Sequence, residues 1–309
     1  LIDERFGEVA LFVKENFLDP TGYGQYHFKP EFDTQRKIAN WFKDAAVRDT
    51  NNWLRQGLYD LHSNVILFEE AGSEGTRFHF RFGMESTSSF QALEWDTQAK
   101  LKELYNDYFF RRQSQYWKEE ALKKLPALKA CTNMLICGED LGMVPDSVPD
   151  VMKQLGILSL EIQRMPKQLG REFFHPDDAP YLSVVTPSTH DMSTIRGWWE
   201  EDPAKTQRFF NNELGQWGEA PMICEAWINK MIIKQHLYSP AMWSIFQLQD
   251  LLGSDEGLRR ANPADERINI PANSQHYWRY RMHITLEQLL KEKAFNQDLR
   301  EYIRASGRA

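Results

Sequence analysis

Two apolar runs in this chain stop abruptly at residues able to move or stabilise charge. Met134-Leu135-Ile136-Cys137 ends on Gly138-Glu139-Asp140, and Tyr181-Leu182-Ser183-Val184-Val185-Thr186 ends on Pro187 and runs into Ser188-Thr189-His190-Asp191. A carboxyl at a buried strand end, partly desolvated and beside another acid, can protonate a leaving oxygen. A His-Asp pair in the same position can hold hydroxyl groups and stabilise positive charge that develops in a transition state. Both also have a plainer reading. Glu139-Asp140 can open a loop and cap the next helix, and Asp191 can cap one that starts near Ser193-Thr194-Ile195.

Other chemistries lack their residues. The eight histidines show no HExxH or HxH spacing for a metal, and no GxGxxG or Walker-type loop is present for a nucleotide. Cys131, Cys137 and Cys224 form neither a CxxC pair nor a disulfide framework. That usage suits a reducing compartment and makes the cytoplasm the expected location.

The carboxylates need elements to hold them, and the same texture recurs around them. Ile157-Leu158-Ser159-Leu160-Glu161-Ile162 stops at Gln163-Arg164, and Met242-Trp243-Ser244-Ile245-Phe246 leads to Gln247-Leu248-Gln249-Asp250. Continuous apolar strands separated by helical stretches predict a buried parallel sheet, with chemistry at the C-terminal strand ends. A (β/α)₈ barrel spends roughly 31 residues on each strand-helix unit. Glu139 and Asp191 lie 52 residues apart with one strand candidate between them, close to two compact units, so they are expected two strands apart on one rim. Four such strands are half a barrel.

The first third reads mainly as helix. Asp33 is placed to cap a helix through Ile38, Trp41 and Phe42, and a second pattern runs through Trp53, Leu54, Leu58 and Leu61. A hairpin is predicted from Asn64–Phe68 and Arg77–Phe82 around Gly72 and Gly75. A long amphipathic helix then carries Leu101, Leu104, Tyr105, Tyr108, Trp117, Leu122 and Leu125 as far as Pro126.

Composition narrows the partners. With 37 Lys+Arg against 44 Asp+Glu, net charge −7, and no basic block with interleaved aromatics, nucleic acid is not an expected partner. No apolar run reaches 18 residues and the first thirty residues lack a signal-peptide pattern, so no membrane partner is expected either. The ten Trp, eleven Tyr and nineteen Phe suit stacking on sugar faces and core filling alike, and decide nothing alone. The chain opens on Leu1 rather than Met, and it is read as a piece of something longer.

Beyond local chemistry, the runs Cys137-Gly138-Glu139-Asp140-Leu141-Gly142-Met143-Val144-Pro145, Ile162-Gln163-Arg164-Met165-Pro166 and Pro187-Ser188-Thr189-His190-Asp191-Met192-Ser193-Thr194 resemble the amylomaltase, or disproportionating enzyme, family of 4-α-glucanotransferases. Gln35-Arg36-Lys37-Ile38, Thr87-Ser88-Ser89-Phe90, Met242-Trp243 with Gln249-Asp250-Leu251-Leu252, and His276-Tyr277-Trp278-Arg279-Tyr280-Arg281 extend the likeness over essentially the whole chain, toward the plant cytosolic type and its bacterial relatives. The resemblance implies a retaining (β/α)₈ barrel with an aspartate nucleophile ending the fourth strand, an acid/base glutamate the fifth and a stabilising aspartate the seventh. Carried over, Glu139 is the acid/base and Asp191 the stabiliser. His190 would hold hydroxyls of the sugar at the cleavage point, while Asn269 and Pro271 match a substrate-lining loop and Gln249 and Asp250 the end of the eighth strand, all five expected to bind substrate. The fold class implied is α/β: residues 131–309 as the C-terminal half of the barrel, strands 5 to 8 with terminal helices, and residues 1–130 as a mainly helical insertion with a β-hairpin.

The Arg-x-Asp type strand end that would carry the nucleophile does not occur in residues 1–138. Asp60 sits in a helical pattern, and Asp96 and Asp107 fall at or within the next long helix. The resemblance therefore implies that the nucleophile lies upstream, in a missing N-terminal half of the barrel, and that this chain alone is inactive. The expected substrate is a malto-oligosaccharide or α-glucan, with no cofactor. Two alternatives stay open: a non-catalytic glucan-binding or assembly module, whose exposed barrel edges would favour self-association, and an α-glucan hydrolase.

Overall fold

The computed structural model describes residues 1–43, 52–139, 144–168 and 170–308. Asp140 and Leu141-Gly142-Met143 lie outside the described residues. The chain forms two compact units, residues 1–113 and 114–309.

In the first unit, helices α1 (Ile2–Phe6) and α2 (Ala10–Phe17) lead into an antiparallel hairpin of β1 (Leu18–Gly22) and β2 (Gln25–Phe28), followed by α3 (Gln35–Trp41) and α4 (Asn52–Ser63). Ala10, Val13 and Phe17, at helical spacing, bury one face of α2 against Phe6, Leu54 and Leu58. Gly57 is required there, because a β-carbon on it would stand 2.5 Å from the Phe6 ring. The first hairpin was not anticipated: Asp19-Pro20-Thr21-Gly22 carries no alternation, and its signal is the turn, where Tyr23 and Gly24 both take positive φ, 52° and 73°. The cap of α3 also differs from expectation. Thr34, not Asp33, accepts from the Lys37 amide, and Asp33 instead pairs with the Lys37 ammonium at 2.7 Å.

The second hairpin is present, with β3 (Leu67–Glu69) pairing β4 (Phe78–Phe80) through Leu67↔Phe80, Phe68↔His79 and Glu69↔Phe78. After the short α5 (Ser88–Gln91) comes α6 (Trp95–Asn106), then a π-helical turn at Asp107–Arg112 and α7 (Gln113–Ala130). Pro126 lies inside α7 rather than ending it. The helix forgoes one backbone hydrogen bond there and continues because Leu125 on the same turn packs toward Val148, Met152 and Ile157. Asp60 and Asp96 are helical, Asp60 held by Arg5 at 2.8 Å and Asp96 by Lys100 at 2.5 Å. Asp107 opens the π-helical turn, where it pairs with Arg111 and Arg112 at 3.1 and 2.6 Å.

The second unit is built on a parallel sheet. Its strands are β5 (Ser159–Ile162), β6 (Ser183–Thr186) and β7 (Trp243–Ser244), adjacent in chain order, with Cys137 adding a parallel bridge to Leu158 on the outer side of β5. All four residues of β6 are buried. Helix α8 (Val148–Leu155) precedes β5, and its buried Val148, Val151 and Met152 follow the 3.6-residue period. Between β6 and β7 run α9 (Ile195–Trp199), α10 (Pro203–Asn212) and α11 (Ala226–Tyr238), whose Trp198, Trp199, Phe209, Phe210, Ile228 and Ile232 form the main core. Helices α12 (Leu248–Leu252), α13 (Leu286–Lys291) and α14 (Lys293–Ala305) complete the unit. Arg308 donates to the carbonyls of Leu237, Ser239 and Ala241 at 2.6, 2.7 and 2.8 Å, at the end of α11 and in the segment leading to β7.

The class is therefore α/β with mixed helices and few strands, and among the described residues no closed barrel is formed. No described helix is long and apolar enough to cross a membrane.

Candidate active site

Glu139 lies two residues past the isolated parallel bridge from Cys137 to Leu158, and Asp191 lies beyond the end of β6. The segment ending at Glu139 is held to β5 by the Gly138 amide donating to Leu158 O and the Leu158 amide donating to Ile136 O, both at 2.8 Å. Asp191 follows β6, the strand beyond β5. The segment that ends at Glu139 and the strand that precedes Asp191 are thus separated by β5, about 10 Å of sheet at the usual inter-strand spacing. Both are exposed to solvent. The desolvation anticipated for Glu139 does not come from the described residues.

Around Asp191 a small cluster forms. Asn269 Nδ2 donates to Asp191 Oδ1 at 2.7 Å, His190 Nε2 stands 3.4 Å from Asp191 Oδ2, and the His190 ring lies 5.1 Å from that of Trp278. Asn269 is itself oriented, its Oδ1 accepting from the Ile270 amide at 2.9 Å, and Pro271 follows it on the exposed side of the same segment. A carboxylate, an imidazole, an amide and an indole, all presented outward, match the needs of hydroxyl recognition and of stabilising a developing cation.

Gln249 and Asp250 take a different place. Both are buried beneath this cluster, at 4% and 1% exposure. Asp250 accepts from the Ser188 hydroxyl and, at 2.7 Å, from the Ile195 amide, while Gln249 Nε2 donates to Glu266 O at 3.1 Å. Burial pushes the Asp250 carboxyl up, opposed by the Ser188 and Ile195 hydrogen bonds. These residues hold the loops that present His190, Asp191 and Asn269.

The rest of that frame was not singled out from sequence. Arg164, buried, donates from Nε to Pro187 O at 3.0 Å and from Nη2 to Ser193 O, and its guanidinium lies 5.3 Å from the Trp198 ring. Arg196 and Glu266 form a buried ion pair, and Thr194 donates to Glu266 at 3.1 Å. Arg267 links the two presenting segments, donating to Asn269 O at 2.9 Å and to the Ser193 hydroxyl at 3.0 Å. Composition offered no hint of Arg196 or Glu266. Arg164 and Trp278 stood inside motif runs, but nothing local says that one is buried and the other faces His190. Among the described residues no cluster of three or more His, Cys, Asp or Glu is placed to hold a metal.

A family profile described as 4-alpha-glucanotransferase matches residues 33–286, which include every residue of the cluster and its frame. The chain belongs to the 4-alpha-glucanotransferase family. It is 39% identical, over all of its length and 33% of the relative's, to 4-alpha-glucanotransferase DPE2 of Oryza sativa subsp. japonica. It is 30% identical to the 4-alpha-glucanotransferase of Chlamydia muridarum, over 94% of this chain and 54% of that one. Among solved structures, an amylomaltase from Streptococcus agalactiae in complex with acarbose matches with a TM-score of 0.45 and 22% identity, over 60% of this chain and 34% of that one. The chain thus spans between a third and about half the length of these curated relatives.

Proposed function

We propose that this chain supplies two of the three carboxylates of a retaining 4-α-glucanotransferase, Glu139 as acid/base and Asp191 as stabiliser of the oxocarbenium-like transition state. The observation that carries the reading is the presentation of Asp191: exposed at the C-terminal end of a fully buried parallel strand, hydrogen-bonded by Asn269, and set on a frame of buried polar groups. In this reading Glu139 protonates the departing glycosidic oxygen and later deprotonates the acceptor hydroxyl, His190 and Asn269 bind hydroxyls of the sugar at the cleavage point, and Pro271 shapes the lining loop. Gln249 and Asp250 act from below. No metal or organic cofactor enters this chemistry.

The strand order supports the proposal and bounds it. A retaining mechanism needs a nucleophile about 5–5.5 Å from the acid/base, close to one inter-strand spacing, so it belongs on a strand adjacent to the one ending at Glu139. On one side that neighbour is β5, whose one acid, Glu161, is buried and paired with Lys167 at 2.9 Å. The nucleophile then falls to the opposite side, where no strand is described. We read residues 131–309 as strands 5 to 8 of a (β/α)₈ barrel, residues 1–130 as a largely helical insertion before them, and the isolated chain as inactive. The substrate class is malto-oligosaccharide or α-glucan, and the setting the cytoplasm.

Incubation with maltotriose tests this. An active parent protein carrying these residues is expected to yield glucose and longer oligomers, to lose that activity in Glu139→Gln, and to transfer to an added acceptor sugar rather than to water. The isolated chain is expected to yield none. Disproportionation by the isolated chain that vanishes in Glu139→Gln would overturn the missing nucleophile, and hydrolysis without transfer would favour a hydrolase.

A further inference from the structure

We propose that Arg164 is a positioning residue for the reaction, fixing the geometry of the loop that presents His190 and Asp191; the proposal rests on the functional reading above. Its guanidinium is buried, yet both hydrogen bonds it makes among the described residues go to main-chain carbonyls, Pro187 O and Ser193 O. Those two carbonyls bracket the loop. A buried cation is costly unless several of its donors are satisfied, and an apolar side chain would fill the same space more cheaply. A planar fork that grips two acceptors with fixed spacing does what a hydrophobic residue cannot: it sets the distance between the two ends of the segment 187–193.

The same loop is held from the opposite polarity by Asp250, which takes its donors, the Ser188 hydroxyl and the Ile195 amide. Gln247 Nε2 adds a bond to the Ser188 hydroxyl at 3.0 Å, and Asn229 fixes Asp250 through its carbonyl. Residues 187, 188, 193 and 195 are therefore anchored by a cation for the loop's acceptors and an anion for its donors. His190 and Asp191, between the anchors, are free to face outward. Burial pulls the Arg164 guanidinium down to about 10, opposed by the charges of Asp250 and Glu201, which leaves it a cation at neutral pH. Trp198 closes its remaining face. A hydroxyl-binding pair on an untethered loop would sample many arrangements, and misplacement by about 1 Å can cost on the order of 100-fold in rate.

The test pairs a kinetic and a spectroscopic readout of Arg164→Gln and Arg164→Lys. In the active parent protein, Arg164→Gln is expected to lower kcat for maltotriose disproportionation by about 100-fold with KM within about threefold of wild type. Arg164→Lys, which keeps charge but one head group, is expected to fall between. In this chain, the His190 Hε1 proton resonance, shifted by the Trp278 ring, is expected to move toward the position of a solvated histidine in both variants. Unchanged kcat in a folded variant overturns the proposal. So does a kcat loss with an unmoved His190 signal, since Arg164 would then be acting on substrate directly. Should Arg164→Gln fail to fold, Arg164→Lys carries the same decision. An inert wild-type parent would instead strike the functional reading, and the His190 resonance alone would then decide whether the clamp exists.

Discussion

The two compact units bury different things. Among the described residues of 1–113, the buried set is apolar apart from Ser73 and Thr87, and the core is a meeting of Phe6, Val13, Phe17, Ile38 and Leu58. Among those of 114–309, Glu161, Arg164, Arg196, His236, Asp250 and Glu266 are all buried, together with Gln163, Asn229 and Gln249. Desolvating a charge costs several kcal/mol that its partners must offset, so a stable apolar core never calls for it. Arg164, Arg196, Asp250 and Glu266 lie against the segments 187–195 and 266–270. They hold irregular backbone in one conformation, which hydrophobic packing, being non-directional, does poorly. The difference teaches that the first unit is organised for stability, and the second accepts electrostatic cost to define loops.

The sharpest way to break that comparison is to cut one half of a buried pair. Arg196→Met leaves Glu266 buried and unpaired, and is expected to cost about 3–5 kcal/mol in urea unfolding followed by tryptophan fluorescence. Adding Glu266→Leu should restore most of it, since the pair's own net contribution is small. A single variant costing under about 1 kcal/mol would mean the frame carries no strain of desolvation. In the first unit the order should reverse. Leu58→Ala, fully buried, is expected to cost about 2–5 kcal/mol, while Arg5→Ala, which removes a half-exposed pair with Asp60, should cost about 1 kcal/mol or less.

Acid exposes the contrast through one group. His236 is wholly buried, has no ion-pair partner among the described residues, and is pushed down to about 4 by burial. Its folded value is depressed below the unfolded one, so the unfolded chain takes up a proton first. Stability present above about 6.5 is lost as pH falls toward 4, by up to about 3 kcal/mol. Asp250 and Glu266, raised by burial, have the opposite sign and lose stability as pH rises through their folded values. Both are common to wild type and His236→Gln, so the difference between the two unfolding curves isolates the histidine. It should shrink from pH 7 to 4, and a flat difference would show that folding leaves the His236 imidazole unshifted.

The smallest expected effect lies at the surface cluster. Asn269→Ala removes a hydrogen bond to an exposed carboxylate and is expected to change stability by no more than about 0.5 kcal/mol. A larger loss would mean that the cluster also supports the fold.

Much of this was legible along the chain. The runs ending at Glu139, Gln163, Thr186 and Phe246 do mark parallel strands or a parallel bridge, and the 64–82 hairpin is where alternation put it. Shorter-range rules failed where two candidates stood side by side, as with Asp33 and Thr34, or where packing outweighed a breaker, as at Pro126. The hairpin at 18–28 hid because its strands are short and irregular and only its turn is diagnostic.

The amino-acid pattern by itself determined the parallel runs of the second unit, the 64–82 hairpin and which polar residues follow those runs, because periodicity and turn chemistry are local. Only the tertiary structure decided that Asp191 is presented and Asp250 buried, though each is an aspartate just past a strand. That choice depends on partners 62 to 78 residues away, Ser188 for Asp250 and Asn269 for Asp191. Burial is a property of what packs against a group, and no window along the chain contains those neighbours.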